Sequence, residues 1–253
     1  MQLHFDKSGS GQPLVMMHGM FGSLENLGAV ARILKQHFTV YGLDLRNHGR
    51  SPHADHMSFS DMADDLLSFL DAHNLNDVFL FGHSLGGKVA MEFACAHPAR
   101  VRKLVVADIA PMTYPAHHNA ILEGLASVDL EQVKLRKDAD QQLSHYVDEL
   151  PVRQFILKSL ERSDDGSYRW RLNVSAIVNN YDDLRRAVCN GRDFEGPTLF
   201  LRGEKSKYIA ERNRAEIMEK FPRGKIVTVK DAGHWLHAEQ PQAVADSVIE
   251  FIN

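Results

Sequence analysis

The chain has 253 residues, 44% of them hydrophobic and 25% charged, which suits one large soluble domain or a core carrying an insertion. A formal net charge of -4 lacks the basic excess of a nucleic-acid binder, and the apolar runs are far shorter than the ~20 residues that span a bilayer. The opening MQLHFDKSGSGQ has no basic stretch leading into an apolar one, and Cys95 and Cys189 stand apart from any paired motif, so the expectation is a cytoplasmic protein with free thiols.

Short apolar runs recur along the chain at Leu14 to Met17, Phe38 to Leu43, Val78 to Phe81, Leu104 to Ala107, Thr198 to Leu201 and Lys225 to Val229. Several are apolar at consecutive positions, which suits strands covered on both faces. Helical spacings fall between them, such as Met62, Leu66, Leu67 and Leu70, or Val89, Ala90, Phe93 and Ala94. This alternation predicts an α/β fold with a mostly parallel central sheet flanked by helices. It breaks after Ile109. Helices are predicted over Ile121 to Leu125, Leu143 to Leu150, Val152 to Leu160 and Ala176 to Val188. Tyr168, Trp170, Leu172 and Val174 alternate with polar neighbours and predict an extended segment. The expected organisation is a core of residues 1–108 and 197–253 interrupted by a mostly helical insertion, 109–196.

The chemistry begins at Gly82-His83-Ser84-Leu85-Gly86, a G-x-S-x-G spacing set between an apolar strand and a helical pattern. A serine hydroxyl is a weak nucleophile until a base takes its proton, and a tight strand-to-helix turn can present it to one. His234, in Asp231-Ala232-Gly233-His234-Trp235 after the last strand pattern, is the candidate base. His237 is expected at the start of the final helix, pointing away. Two amides are the candidate oxyanion donors: Leu85, after the serine, and Met20, in the early loop His18-Gly19-Met20-Phe21-Gly22. His18 is expected to brace that loop.

Taken together, HGMFGSLENLG, DLRNHGRS, GHSLGGK, ADIAP, WRLN and Gly233-His234-Trp235 resemble the α/β-hydrolase superfamily, and more closely the small bacterial YbfF-type esterases. The resemblance covers nearly the whole chain. It implies a helical cap over the site, formed by the insertion, and hydrolysis of carboxylic esters or acyl thioesters, acyl-CoA among them, through an acyl-enzyme.

The sequence departs from the superfamily at one place. Many α/β-hydrolases carry their acid in a G-x-x-D arrangement after the strand that follows the cap, where this chain has Gly203-Glu204-Lys205-Ser206. A serine has no charge with which to stabilise an imidazolium. Asp108, ending the run that follows the nucleophile strand and lying within the ADIAP motif, is the expected acid, with Glu204 the rival. Asp231 is too near His234 in sequence and is expected to shape the loop. Ser206 then becomes a partner behind His234 or Asp108. Lys205 and Lys207 replace the Gly- or Asn-rich and proline positions of the resembled esterases. They read either as attractors of anionic substrates or as solvated surface lysines.

Phe21, Trp235, Phe155 and Trp170 are the candidate pocket lining, although most cap aromatics serve packing. No H-E-x-x-H or paired-cysteine spacing occurs, so neither metal nor cofactor is expected, and His53, His56, His117 and His118 read as surface residues. The expected partner is a small-molecule ester or thioester, with no nucleic acid and no membrane, and a monomer is the default state. The other readings are a serine carbon-carbon hydrolase or lyase on the same scaffold, or a non-catalytic binding protein, which would be expected to lose Ser84 or His234.

Overall fold

Runs that are apolar at every position split between two layers once they become strands, because alternate side chains leave opposite faces. The computed structural model describes residues 1–253. Its strands are β1 (Phe5–Gly9), β2 (Pro13–Met17), β3 (Thr39–Leu43), β4 (Val78–His83), β5 (Val101–Ala107), β6 (Leu160–Arg162), β7 (Tyr168–Trp170), β8 (Thr198–Gly203) and β9 (Gly224–Val229). The helices flanking the sheet are α1 (Gly28–Leu34), α2 (Phe59–Ala72) and α3 (Leu85–Ala96). Those of the insertion are α4 (Asn119–Ser127), α5 (Arg136–Leu143), α6 (Leu150–Leu157), α7 (Val174–Asn179) and α8 (Tyr181–Leu184). Three more follow it: α9 (Arg214–Lys220), α10 (Leu236–Glu239) and α11 (Pro241–Ile252).

Seven strands form one sheet in the order β1-β3-β2-β4-β5-β8-β9, parallel except for β1. Leu14, Met16, Phe79, Phe81, Val105 and Leu201 meet Val30 and Leu34 of α1 and Val244 and Val248 of α11 on one face. Val15, Met17, Leu80, Leu104 and Val106 meet Leu66 and Phe69 of α2 and Val89 and Phe93 of α3 on the other. Each such fully buried side chain contributes about 1.5–3 kcal/mol, so truncating Phe81 would cost roughly 3–5 kcal/mol. The edge strand β1, FDKSG, was not anticipated: four of its five residues are exposed, so it carries no apolar alternation. Ser58 starts α2 reciprocally, taking the Asp61 N–H on its hydroxyl while Asp61 accepts the Ser58 N–H.

Between β5 and β8 the chain forms five short helices and the β6–β7 hairpin, and its apolar residues Leu122, Leu125, Ile156 and Ile177 join the core on the α2 and α3 face. The helix expected over Leu143 to Leu150 is absent. Here α5 ends at Leu143, and α6 begins at Leu150, with Pro151 in its first turn where a missing N–H costs nothing. The expected extended segment pairs only as far as Trp170, because Asn173 caps α7 by accepting the Ala176 N–H. Lys88 of α3 gathers both ends of the insertion, donating to the carbonyls of Met112, Arg185 and Arg186. Burial pushes its ammonium down to about 7, against three acceptors that favour the charged form.

The expectation of free thiols is overturned. Cys95, near the end of α3, and Cys189, just beyond the insertion's last helix, form a disulfide with Cα atoms 5.7 Å apart. Their sequence separation of 94 residues hid the pairing, which exists only because α3 and the end of the insertion pack together.

Candidate active site

Strand β4 ends in a sharp turn at Ser84, whose backbone lies at φ 51° and ψ -115° before α3 begins. A non-glycine residue in that region stores on the order of 1–3 kcal/mol, held only by its surroundings. The flanking glycines are packing necessities. A Cβ on Gly82 would lie 2.2 Å from the Gly86 carbonyl oxygen, and one on Gly86 would lie 2.4 Å from that of Met17. The Ser84 N–H donates to the Ala107 carbonyl at 3.0 Å, and the Gly86 N–H donates to that of His18 at 3.0 Å. The turn is thereby pinned to the ends of β5 and β2.

The loop after β2 closes with Gly22 N–H donating to the Gly19 carbonyl at 3.1 Å. Phe21 takes a φ of 64° there, and its N–H donates to His48 Nε2 at 3.2 Å. His18 braces the same region by accepting the Leu45 N–H on Nε2 at 3.1 Å. Both imidazoles act as acceptors and must be neutral. Burial lowers His18 from 6.5 to about 4 and His48 to about 3. The amides of Met20 and Leu85 donate to no protein acceptor, and both residues line the cleft with Ser84.

His234 reaches this point from the loop between β9 and α10. Its Nε2 lies 3.1 Å from Ser84 Oγ and its Nδ1 lies 2.7 Å from Asp108 Oδ2. Asp108 is fully buried, one residue beyond β5. Its Oδ1 accepts the Gly203 N–H at 2.9 Å, and its Oδ2 also accepts the Ser206 hydroxyl. Glu204 points elsewhere, accepting the Asp231 N–H at 2.9 Å. Tyr208 stacks on the His234 imidazole with ring centroids 4.0 Å apart and planes 19° apart. Its hydroxyl lies 2.5 Å from His117 Nε2, and burial raises its pKa well above the ordinary phenol value.

Phe21, Phe155 and Trp235 line a cleft beside Ser84, with the Phe155 and Trp235 ring centroids 5.4 Å apart and their planes tilted by 33°. Trp170 does not. It sits on β7 in an outer groove with Arg50, Arg169 and Arg171. The period-two pattern announced a strand without saying which face looked toward Ser84. His237 also departs from expectation: it belongs to the short helix α10, is buried, and lines the cleft 4.2 Å from the His83 ring. Burial lowers its pKa to about 3. His117 is exposed, as expected, at the edge of the cleft, whereas His118 is half-buried in its wall and is lowered to about 3 by burial. Tyr208 escaped sequence reasoning, although it follows Ser206 by two residues and its N–H donates to the Ser206 hydroxyl at 3.2 Å. No three His, Cys, Asp or Glu side chains are grouped to hold a metal ion.

Comparisons with known proteins agree with this geometry at the level of the family. Residues 12–241 match the model of the alpha/beta hydrolase fold. The chain is 39% identical to the sn-1-specific diacylglycerol lipase ABHD11 of Danio rerio, over 98% of this chain and 80% of that one. It is 35% identical to Esterase YbfF of Escherichia coli, over 95% and 93%. Among solved structures, a marine microorganism esterase superposes with a TM-score of 0.95 at 46% identity, covering 99% of both chains.

Proposed function

Since this chain belongs to the α/β-hydrolase fold family, with esterases and a lipase among its relatives, we propose that it cleaves esters or acyl thioesters with Ser84 as nucleophile, His234 as base and Asp108 as acid. The observation that carries the reading is the unbroken line from Ser84 Oγ through His234 to Asp108, set beside two amides with no protein acceptor. Ser84 Oγ attacks the carbonyl carbon as His234 Nε2 takes its proton. The resulting oxyanion lies against the Met20 and Leu85 amides, each worth ~3–4 kcal/mol to such a transition state. His234 then protonates the departing alcohol or thiol, leaving Ser84 acylated. Water repeats the sequence: His234 takes its proton, the hydroxyl adds to the acyl carbon, and Ser84 leaves with the proton returned. Asp108 holds the proton of neutral His234 on Nδ1 and stabilises the imidazolium when it forms.

In this reading residues 109–196 act as a cap, and Phe155 with Phe21 and Trp235 receives the acyl chain. Acyl-CoA thioesters and, from the name of the Danio rerio relative, diacylglycerol are the physiological classes to compare. A binding protein would have no need of a serine held at strained φ with an imidazole beside it. Mass spectrometry after treatment with a fluorophosphonate tests the proposal. A single adduct on Ser84, lost in Ser84→Ala, is expected; a protein that stays unlabelled while folded and hydrolyses no ester would overturn it.

A further inference from the structure

Ser84 lies where two arms of the cleft meet. One arm is apolar, walled by Phe21, Ile121, Val152, Phe155 and Trp235. The other runs past Leu85 and Tyr181 to Tyr114, His117 and Tyr208, and those three residues also bound a wide open hollow. Lys207 and Arg212 stand on the wall of that hollow. No aspartate or glutamate lines either arm or the hollow, although the chain holds 33 acidic against 29 basic residues. The charge along this path is therefore opposite in sign to that of the protein as a whole.

The cations on the path are not equivalent. Arg185 is paired with Asp182 at 2.9 Å, and Lys88 is spent on backbone carbonyls. Lys205, in the same loop as Lys207, lies outside the hollow and faces Asp231 at 3.6 Å. Lys207 and Arg212 are exposed and make no ion pair. Of Lys205 and Lys207, only Lys207 lines the hollow that adjoins the second arm.

We propose that Lys207 and Arg212 form an anion subsite for the leaving group. The substrate is then an ester or thioester whose acyl chain fills the apolar arm and whose alcohol or thiol portion carries a carboxylate or a phosphate. This rests on the ester-hydrolase reading above and adds its substrate class. An ammonium and a guanidinium fork recognise either anion, and at an exposed mouth their attraction is screened beyond ~8 Å at physiological ionic strength. The selectivity is accordingly electrostatic and salt-sensitive.

The test compares kcat/KM at low ionic strength for two matched pairs. The first is the butyrate ester of 4-hydroxybenzoate against that of its methyl ester; the second is butyryl-CoA against butyryl-N-acetylcysteamine. In Lys207→Glu/Arg212→Glu the ratio of anionic to neutral substrate is expected to fall about tenfold, and ~1 M salt to produce a similar fall in the unaltered protein. Lys205→Glu is expected to keep the ratio. A fall confined to the first pair assigns a carboxylate, and one confined to the second assigns a phosphate. A ratio untouched by the double substitution, or moved equally by Lys205→Glu, overturns the subsite while leaving the hydrolase reading intact. Turnover of none of the four substrates overturns the hydrolase reading and the subsite together.

Discussion

Replacing Asp108 by asparagine keeps the volume and the acceptor for the Gly203 N–H but removes the charge beside His234. With Oδ2 2.7 Å from Nδ1, the two charge centres lie about 4 Å apart once the imidazolium forms. At an effective dielectric constant of ~20, that attraction is about 4 kcal/mol, or roughly a 10³-fold effect on rate. The amide also presents an N–H to Nδ1 in one of its two orientations, which would favour the wrong tautomer, so the full range is about 10² to 10⁴. The assay is kcat/KM and kcat on a short p-nitrophenyl ester, with folding checked by circular dichroism and thermal melting. The loss is expected in kcat, since no part of the substrate meets this buried carboxylate. Glu204→Gln, which alters only a loop contact to the Asp231 amide, is expected to stay within a few-fold of the unaltered protein. Asp108→Asn with near-normal kcat, or Glu204→Gln with the larger loss, would refute the assignment.

Ser206→Ala strips one donor from Asp108 Oδ2 and is expected to lower kcat about tenfold, between the unaltered protein and Asp108→Asn; an equal loss in both would show that the hydroxyl, not the charge, matters. Met20 occupies the second position of the turn closed by Gly22 on Gly19, where proline is favoured, so Met20→Pro deletes one amide donor while keeping the turn. A kcat loss of roughly 10² to 10³ with retained fluorophosphonate labelling is expected, and unchanged kcat would remove Met20 from the oxyanion site. His18 and His48 bind protons in the unfolded chain near 6.5 but in the folded protein only near about 4 and about 3. Between those values the unfolded chain holds more protons, so stability is full above 6.5 and is lost as pH falls below it. Urea denaturation at pH 5.5 should give about 3 kcal/mol less stability than at pH 7.5 from these two groups, a loss reduced in His48→Gln. Equal stabilities at the two pH values would contradict neutral burial.

What was legible in the sequence is what short-range chemistry enforces. Gly82 marks a turn because a Cβ there would strike the Gly86 backbone four residues on, a local constraint, whereas one on Gly86 would strike the distant Met17 carbonyl of β2. The sheet was legible because consecutive apolar residues along β2, β4 and β5 need a layer on each face. Lost features depend on where distant elements meet. Cys95 and Cys189 pair because the end of α3 packs on the chain leaving the insertion. Trp170 needed the outward face of a hairpin, and His237 a four-residue helix that turns the ring back toward His83. The edge strand β1 is held by pairing to β3, with almost no burial of its own to mark it.

The position proposed for the acid shows how little the sheet must change to move it. Strands β5 and β8 are neighbours in parallel register, with Ala107 opposite Leu201, so Asp108 ends one strand beside the place where β8 leads toward Ser206. The Asp108 N–H donates to the Leu201 carbonyl at 2.8 Å, while its carboxylate reaches over to the Gly203 N–H, fixing both ends of the residue to β8. From there one oxygen meets the His234 Nδ1–H and the Ser206 hydroxyl together. A carboxylate at position 206 would face Asp108 at hydrogen-bond distance. Two carboxylates so close, one of them fully buried, cannot both stay ionised, and one would have to take up a proton. With the charge supplied from β5, a neutral donor at 206 is the side chain that strengthens it. On that argument Ser206→Asp would add no second catalytic acid; it would raise the pH at which activity appears, and a pH–rate profile matching the unaltered protein would contradict it.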